Sequence, residues 1–133
     1  ARARFWLKKV KLDYGHGTGH GVGYFLNVHE GPQSLSKFNN IKIENGMIVS
    51  NEPGYYKENK FGIRIENLIY AIKNKSKFYF KNLTLAPIDN DLVNFNLLDF
   101  KEKQYLKNYH DLSYKKLAKF LNKKEKIWLR SLI

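Results

Sequence analysis

Three imidazoles and two carboxylates are the groups of this chain best suited to chemistry. His16, His20 and His29 fall within fourteen residues, Glu52 stands directly before Pro53-Gly54, and Glu66 follows Arg64 by two positions. His16 and His20 are four apart, the spacing that sets two imidazoles on one helix face around zinc. Glycines at 15, 17, 19, 21 and 23 forbid a stable helix there, and no glutamate adjoins His16, so that pattern fails. The histidines must lie on extended or looped backbone, where glycine lets main chain approach a ligand or a neighbouring strand. A carboxylate inside a strand is unfavourable unless its charge is compensated. Arg64, on the same expected strand face as Glu66, is one compensator, and a metal ion is another. One imidazole with two carboxylates suits a borderline-to-hard divalent cation such as Mn²⁺, Zn²⁺ or Co²⁺. Taken singly, each residue also has a plainer reading. A strand histidine can be a structural hydrogen-bonder, Glu66 with Arg64 a surface ion pair, and Glu52 a solvated turn residue.

The elements that must carry these groups follow from pattern. Ala1–Leu12 reads as a helix with Phe5, Trp6 and Val10 on one face, stopped by Gly15. Tyr24–Val28 returns to strand-formers, and Gly31-Pro32 turns the chain. Met47–Ser50 is a short apolar strand, and Pro53-Gly54 turns again. Phe61–Ile72 alternates, with Phe61, Ile63 and Ile65 on one face and Gly62, Arg64 and Glu66 on the other. Phe78–Phe80 and Leu83–Leu85 read as strands. Asp99 followed by Glu102 is a capping box that opens a helix. A second helix is expected near Ser113, with Leu117, Phe120, Leu121, Trp128 and Leu129 packing as core. The fold class is therefore α/β (α+β), in two regions: residues 1–72, Gly-rich and strand-like, and residues 73–133, a strand followed by helices.

Composition narrows the function. Hydrophobic residues make up 43% of the 133, enough to form a core, and the absence of cysteine excludes disulfides and thiolate metal sites. No apolar run approaches the length of a membrane helix, so no membrane partner is expected. A net charge of +12 invites a nucleic-acid reading. The excess is lysine, however, since only Arg2, Arg4, Arg64 and Arg130 of the 24 basic residues are arginine. Arginine supplies most specific base contacts, and the lysines form no single stripe. A basic binding module remains the alternative from a different class, with a salt-dependent shift on oligonucleotide as its signature.

Order and context join these residues into motifs. His16-Gly17-Thr18-Gly19-His20-Gly21-Val22-Gly23 and Asn27-Val28-His29-Glu30-Gly31-Pro32 resemble the histidine signature of aminopeptidase P, the Xaa-Pro aminopeptidases. Asn51-Glu52-Pro53-Gly54-Tyr55-Tyr56 and Gly62-Ile63-Arg64-Ile65-Glu66-Asn67 resemble the family's two glutamate motifs, in the family's order and spacing. The interval from His20 to His29 resembles the longer, eukaryotic-cytosolic branch, and residues 73–133, through Leu83–Ile88, Tyr105–His110 and Trp128-Leu129, resemble that branch's C-terminal region. The resemblance implies the carboxy-terminal half of a pita-bread metallopeptidase domain in residues 1–72, and a cytoplasmic location. It implies His20, Glu52 and Glu66 as metal ligands, with Glu52 also handling a water's proton. His16 and His29 become catalytic, substrate-side histidines that hold the peptide, and Arg64 orients Glu66 from behind. The implied cofactor is a divalent metal, Mn²⁺ first, two per intact site. The implied partners are an Xaa-Pro peptide and, through the C-terminal region, a second copy of the chain.

The family's two aspartate ligands have no counterpart in these residues. Asp13, the only acid before His16, stands where the family has no ligand. Three ligands do not hold two metals. The chain is therefore expected to be inactive alone, either working with a separate Asp-bearing amino-terminal half or standing as an inactive remnant, unless the sequence is part of an intact enzyme. Apolar strand surface is expected to lie uncovered.

Overall fold

β-branched and aromatic runs broken by Pro, Gly and Asn give short strands, and lysine-rich amphipathic runs give helices. The structure, a computed structural model, describes residues 2–25 and 27–133. In chain order the elements are α1 (Phe5–Lys9), β1 (Gly19–His20), β2 (Ser34–Leu35), β3 (Ile48–Asn51), β4 (Gly54–Lys57), β5 (Phe61–Arg64), β6 (Asn67–Asn74), β7 (Lys77–Asn82), α2 (Phe100–Leu117) and α3 (Lys123–Ser131). The mixed α/β class matches the expectation. Packing divides the chain into two compact units, residues up to Thr84 and Leu85–Ile133.

The first unit is built on antiparallel pairs. β6 lies between β3 and β7, β4 pairs with β5, and β1 with β2. Val49, Ile69 and Ala71 bury one face of the central sheet. The expected single strand Phe61–Ile72 is two strands, β5 and β6, separated by Ile65-Glu66. The facing pair is broken at Glu52-Pro53, because proline has no N–H to continue the ladder. The two facing segments keep one register on either side of it. Asn51 pairs with Asn67 before the break and Gly54 with Arg64 after it. Carried through the break, this register sets Glu52 opposite Glu66 and Pro53 opposite Ile65, whose N–H still reaches the Pro53 carbonyl at 3.3 Å.

β1 runs along the free edge of β3. Glu52 N–H donates to the Thr18 carbonyl (2.8 Å), and Gly21 bridges to Val49. His20 thus stands opposite Ser50. Gly19 is required for this approach, since a Cβ there would lie 1.8 Å from the Ser50 carbonyl oxygen. The Gly31–Pro32 peptide is cis.

Several expectations change. Within the described residues the opening helix is only α1, preceded by a 3-10 turn, and Phe5, Trp6 and Val10 are exposed rather than packed. Ala1 lies outside the described residues. Tyr24, Phe25, Asn27 and Val28, the described residues of the expected Tyr24–Val28 strand, lie in no strand. Tyr24 and Phe25 are solvent-exposed without ladder partners, and Leu26 lies outside the described residues. The strand at Leu83–Leu85 is absent. β7 ends at Asn82, and Leu83 and Thr84 N–H both turn back to the Leu68 carbonyl. Phe61, Ile63, Ile65, Phe78, Tyr79 and Phe80 are exposed, the uncovered apolar strand surface that was expected.

The second unit is helical. Asp99 and Glu102 form the predicted capping box on α2. Ser113 does not begin a new helix but is buried within α2, because no Gly, Pro or capping carboxylate interrupts Phe100–Leu117. α3 begins at a second capping box, Asn122 with Glu125. Leu106, Tyr109, His110, Ser113 and Leu129 are buried, whereas Phe120 and Trp128, expected in the core, are 76% and 62% exposed. The Tyr109 hydroxyl donates to the Ala86 carbonyl (2.6 Å), and Arg130 stacks over Tyr114 at 3.7 Å. Among the described residues, no helix is long and apolar enough to cross a membrane.

Candidate metal centre

The turn at Glu52-Pro53 and the edge strand β1 converge on one point. A nitrogen of His20 and one carboxylate oxygen each of Glu52 and Glu66 lie within 4.8 Å of one another. Glu52 is buried, His20 half-buried and Glu66 exposed.

The His20 ring is oriented by backbone. Its Nδ1 lies 2.8 Å from the Gly21 carbonyl, an oxygen that only accepts, so Nδ1 carries the proton. Nε2 faces Glu52 Oε1 at 3.3 Å. With Glu66 these ligand atoms converge on one point, an arrangement able to hold a cation. The Nδ1-to-carbonyl bond that fixes the tautomer is the usual support of a metal-ligating imidazole. The donor set, one imidazole and two carboxylates, thus fits a divalent metal on the geometry of this chain.

Glu52 is held from two further sides. Ser50 Oγ donates to its Oε1 (2.8 Å), and Arg64 Nη1 lies 3.7 Å from Oε2. Arg64 also donates through Nε to the Tyr56 hydroxyl (2.9 Å). That bond first, then the Glu52 and more weakly the Glu66 carboxylate, pushes the already high Arg64 pKa further up. The closest carboxylate contact of Arg64 is therefore with Glu52.

The other two histidines flank this centre. His16 Nδ1 lies 2.7 Å from the Gly17 carbonyl, which leaves Nε2 to accept from the Tyr56 hydroxyl at 2.8 Å. A directional chain results, Arg64 Nε–H to Tyr56 O–H to His16 Nε2. The His29 ring lies 4.0 Å from the His20 ring, centroid to centroid, tilted 38°. His16, His20, His29, Glu52, Arg64 and Glu66, widely spaced in sequence, thus lie in one connected neighbourhood.

Residues that carried no expectation complete it. Tyr56 sits inside the first glutamate motif, yet its link to His16 is visible only once β4 and the Gly15–Thr18 loop are placed. Ser50 gave no signal beyond its two-residue spacing from Glu52. Arg4 stacks on Tyr14 at 3.8 Å and donates to Asp13, to the Tyr14 carbonyl (2.7 Å) and to the His16 carbonyl. Asp13 is occupied by this clamp. The Tyr14 N–H, then Arg4, hold its carboxyl below the usual carboxylate range.

The fold is that of a known class of protein. Residues 1–73 match the model of metallopeptidase family M24, and residues 77–132 match the C-terminal region of peptidase M24. The chain belongs to metallopeptidase family M24. It is 44% identical over 143 aligned residues to a probable Xaa-Pro aminopeptidase P of Laccaria bicolor, covering 98% of this chain and 22% of that one. It is 47% identical to aminopeptidase P2 of Arabidopsis thaliana over 91% of this chain and 18% of that one. X-prolyl aminopeptidase of Caenorhabditis elegans, described as a cytosolic enzyme with a di-nuclear active site, superposes with a TM-score of 0.89 at 37% identity, covering 97% of this chain and 23% of that one. Prolidase from Pyrococcus furiosus superposes over 61% of this chain and 23% of its own, with a TM-score of 0.53 at 32% identity. The chain spans about a fifth of the length of the curated relatives it matches.

Proposed function

We propose that this chain is the carboxy-terminal part of a metal-dependent Xaa-Pro aminopeptidase and supplies His20, Glu52 and Glu66 to its metal centre. The observation that carries this is His20 Nε2 facing Glu52 Oε1 at 3.3 Å, with Glu66 at the same point. Three donors do not complete a two-metal site, so the remaining ligands come from outside these 133 residues. Mn²⁺ suits the imidazole–carboxylate donor set, as do Zn²⁺ and Co²⁺. When bound, such metals acidify water and polarise a carbonyl.

The residues of the chain do the positioning. Gly21 fixes the His20 tautomer, and Ser50 and Arg64 hold the Glu52 carboxylate. Glu52, the least exposed acid of the three ligands, is the group suited to take a proton from water. His29 borders the same point beside the His20 ring, and His16 is linked to it through Tyr56 and Arg64; both are suited to grip the peptide, whose bond before proline has no N–H. The Tyr56 hydroxyl presents its proton to His16 Nε2, which fixes the face that His16 turns to substrate. Residues 1–72 act as the carboxy-terminal half of the catalytic domain and 73–133 as the region that follows it. A cytoplasmic location is supported by the cytosolic C. elegans enzyme. A second copy of the chain as partner rests on the same family resemblance.

The test is release of the amino-terminal residue from an Xaa-Pro peptide with Mn²⁺. The chain is assayed alone and together with the Asp-bearing amino-terminal part of one of the matching aminopeptidases. Cleavage only in the combination, lost with Glu52→Gln, is the expected result. If the Asp-bearing part cleaves with its own carboxy-terminal region but never with this chain, the chain is a remnant and the proposal fails.

A further inference from the structure

Ser50 is fully buried on β3 and joins two strands at the candidate metal centre. Its hydroxyl accepts from the His20 backbone N–H at 2.9 Å and donates to Glu52 Oε1 at 2.8 Å. A serine hydroxyl has one proton to give, and here it goes to the carboxylate. The backbone N–H of His20 must then fall on the oxygen lone pairs, so both bonds have a fixed direction. The approach depends on Gly19, whose missing side chain lets β1 settle against the Ser50 main chain. Carboxylate Oε1, the oxygen that faces His20 Nε2, is the one that Ser50 holds.

We infer that Ser50 is a positioning residue. It sets the rotamer of Glu52 and the separation between Glu52 and His20, so that the two present their donor atoms to one cation. The inference rests on the reading of His20 and Glu52 as metal ligands, but two of its consequences need no metal. An ordinary buried serine would stabilise the fold as a whole. A positioning serine acts on the His20 amide and the Glu52 side chain before all others.

The experiment compares the full chain with Ser50→Ala and Ser50→Thr by NMR, first without metal. In Ser50→Ala, amide hydrogen exchange at His20 is expected to rise at least tenfold above the change at the other amides of β3 and β6. Three-bond couplings are expected to report averaging of the Glu52 χ1 rotamer. Ser50→Thr, which keeps the hydroxyl, restores both. Added Mn²⁺ is expected to bind Ser50→Ala about 10- to 100-fold more weakly than wild type, the usual cost of losing a residue that orients a ligand. Unchanged His20 exchange and a single Glu52 rotamer in Ser50→Ala overturn the inference, as does equal loss in Ser50→Ala and Ser50→Thr. Absence of Mn²⁺ binding by wild type would sink the metal reading alone. The metal-free comparison still decides what Ser50 does.

Discussion

Glu52 and Glu66 face each other across the break between two paired strand segments, where Pro53 interrupts the ladder. Two carboxylates at this spacing repel, and Arg64 Nη1, 3.7 Å from Glu52, is the positive charge already beside them. With a bound metal ion, they and His20 become a ligand set. Glu66→Gln is therefore expected to leave metal-free stability within about 0.5 kcal/mol or raise it. It should also abolish stabilisation by Mn²⁺, which at a hundred times the dissociation constant is about 2.7 kcal/mol for the wild type. Thermal melts of both proteins with and without Mn²⁺ check this. A metal-induced rise of the same size in both would make Glu66 an ordinary surface acid.

Tyr56 links Arg64 to His16 through two hydrogen bonds of 2.9 and 2.8 Å. Tyr56→Phe removes both at once and keeps the ring. In a catalytically complete assembly, kcat is expected to fall about a hundredfold, the lower end of a general acid–base contribution. Stability is expected to change by about 1 kcal/mol or less. Steady-state kinetics on an Xaa-Pro peptide, with a melt as control, separate the two effects. An unchanged kcat would leave the chain a structural feature.

His110 is buried in α2, and its Nε2 lies against Ile88 N–H (3.2 Å) and the Ile88 carbonyl (3.1 Å). Burial is the main cause that depresses its pKa below the ordinary 6.5, outweighing Ile88 and Asp111. The unfolded chain then takes up the proton more readily than the folded one, so stability rises with pH in this range. The contribution is full above the unfolded value, begins to fall as pH drops past it, and is lost through the folded pKa. Urea midpoints between pH 8 and pH 5 are expected to decline more steeply for wild type than for His110→Gln. Parallel declines would remove His110 as the cause.

Two capping boxes, Asp99 with Glu102 and Asn122 with Glu125, start the helices of the second unit. Asp99→Ala and Asn122→Ala are each expected to cost about 1 kcal/mol. Urea unfolding should show this as a lower midpoint at an unchanged slope. No shift in either variant would mean that the helix starts are held by packing alone.

The candidate site was far more legible in the sequence than the fold around it. Glu52-Pro53-Gly54 and the glycines around His20 are local signals: proline ends a ladder, and glycine permits close approach. The family motifs reinforced both. The break between β5 and β6 was hidden because the interruption comes from Pro53 on the opposite strand, and its one local sign is Asn67, polar where the alternation calls for an apolar residue. The α2 boundary was misjudged at Ser113 because serine is a capping residue only when backbone N–H groups are left free. In the middle of an 18-residue helix they are already bonded. Phe120 and Trp128 kept the spacing of a core stripe yet lie exposed, since helical spacing marks a face without saying what covers it. Ser50 and Tyr56 act through residues on other strands, so their roles appear only in three dimensions.

The central claim is that His20, Glu52 and Glu66 act together as a metal site. Its most direct test is a Mn²⁺ titration followed by electron paramagnetic resonance on the full chain and on the triple variant His20→Asn, Glu52→Gln, Glu66→Gln. Wild type is expected to deplete the free Mn²⁺ signal, and the folded triple variant to leave it intact. Equal depletion by both proteins, or none by wild type, would contradict the claim.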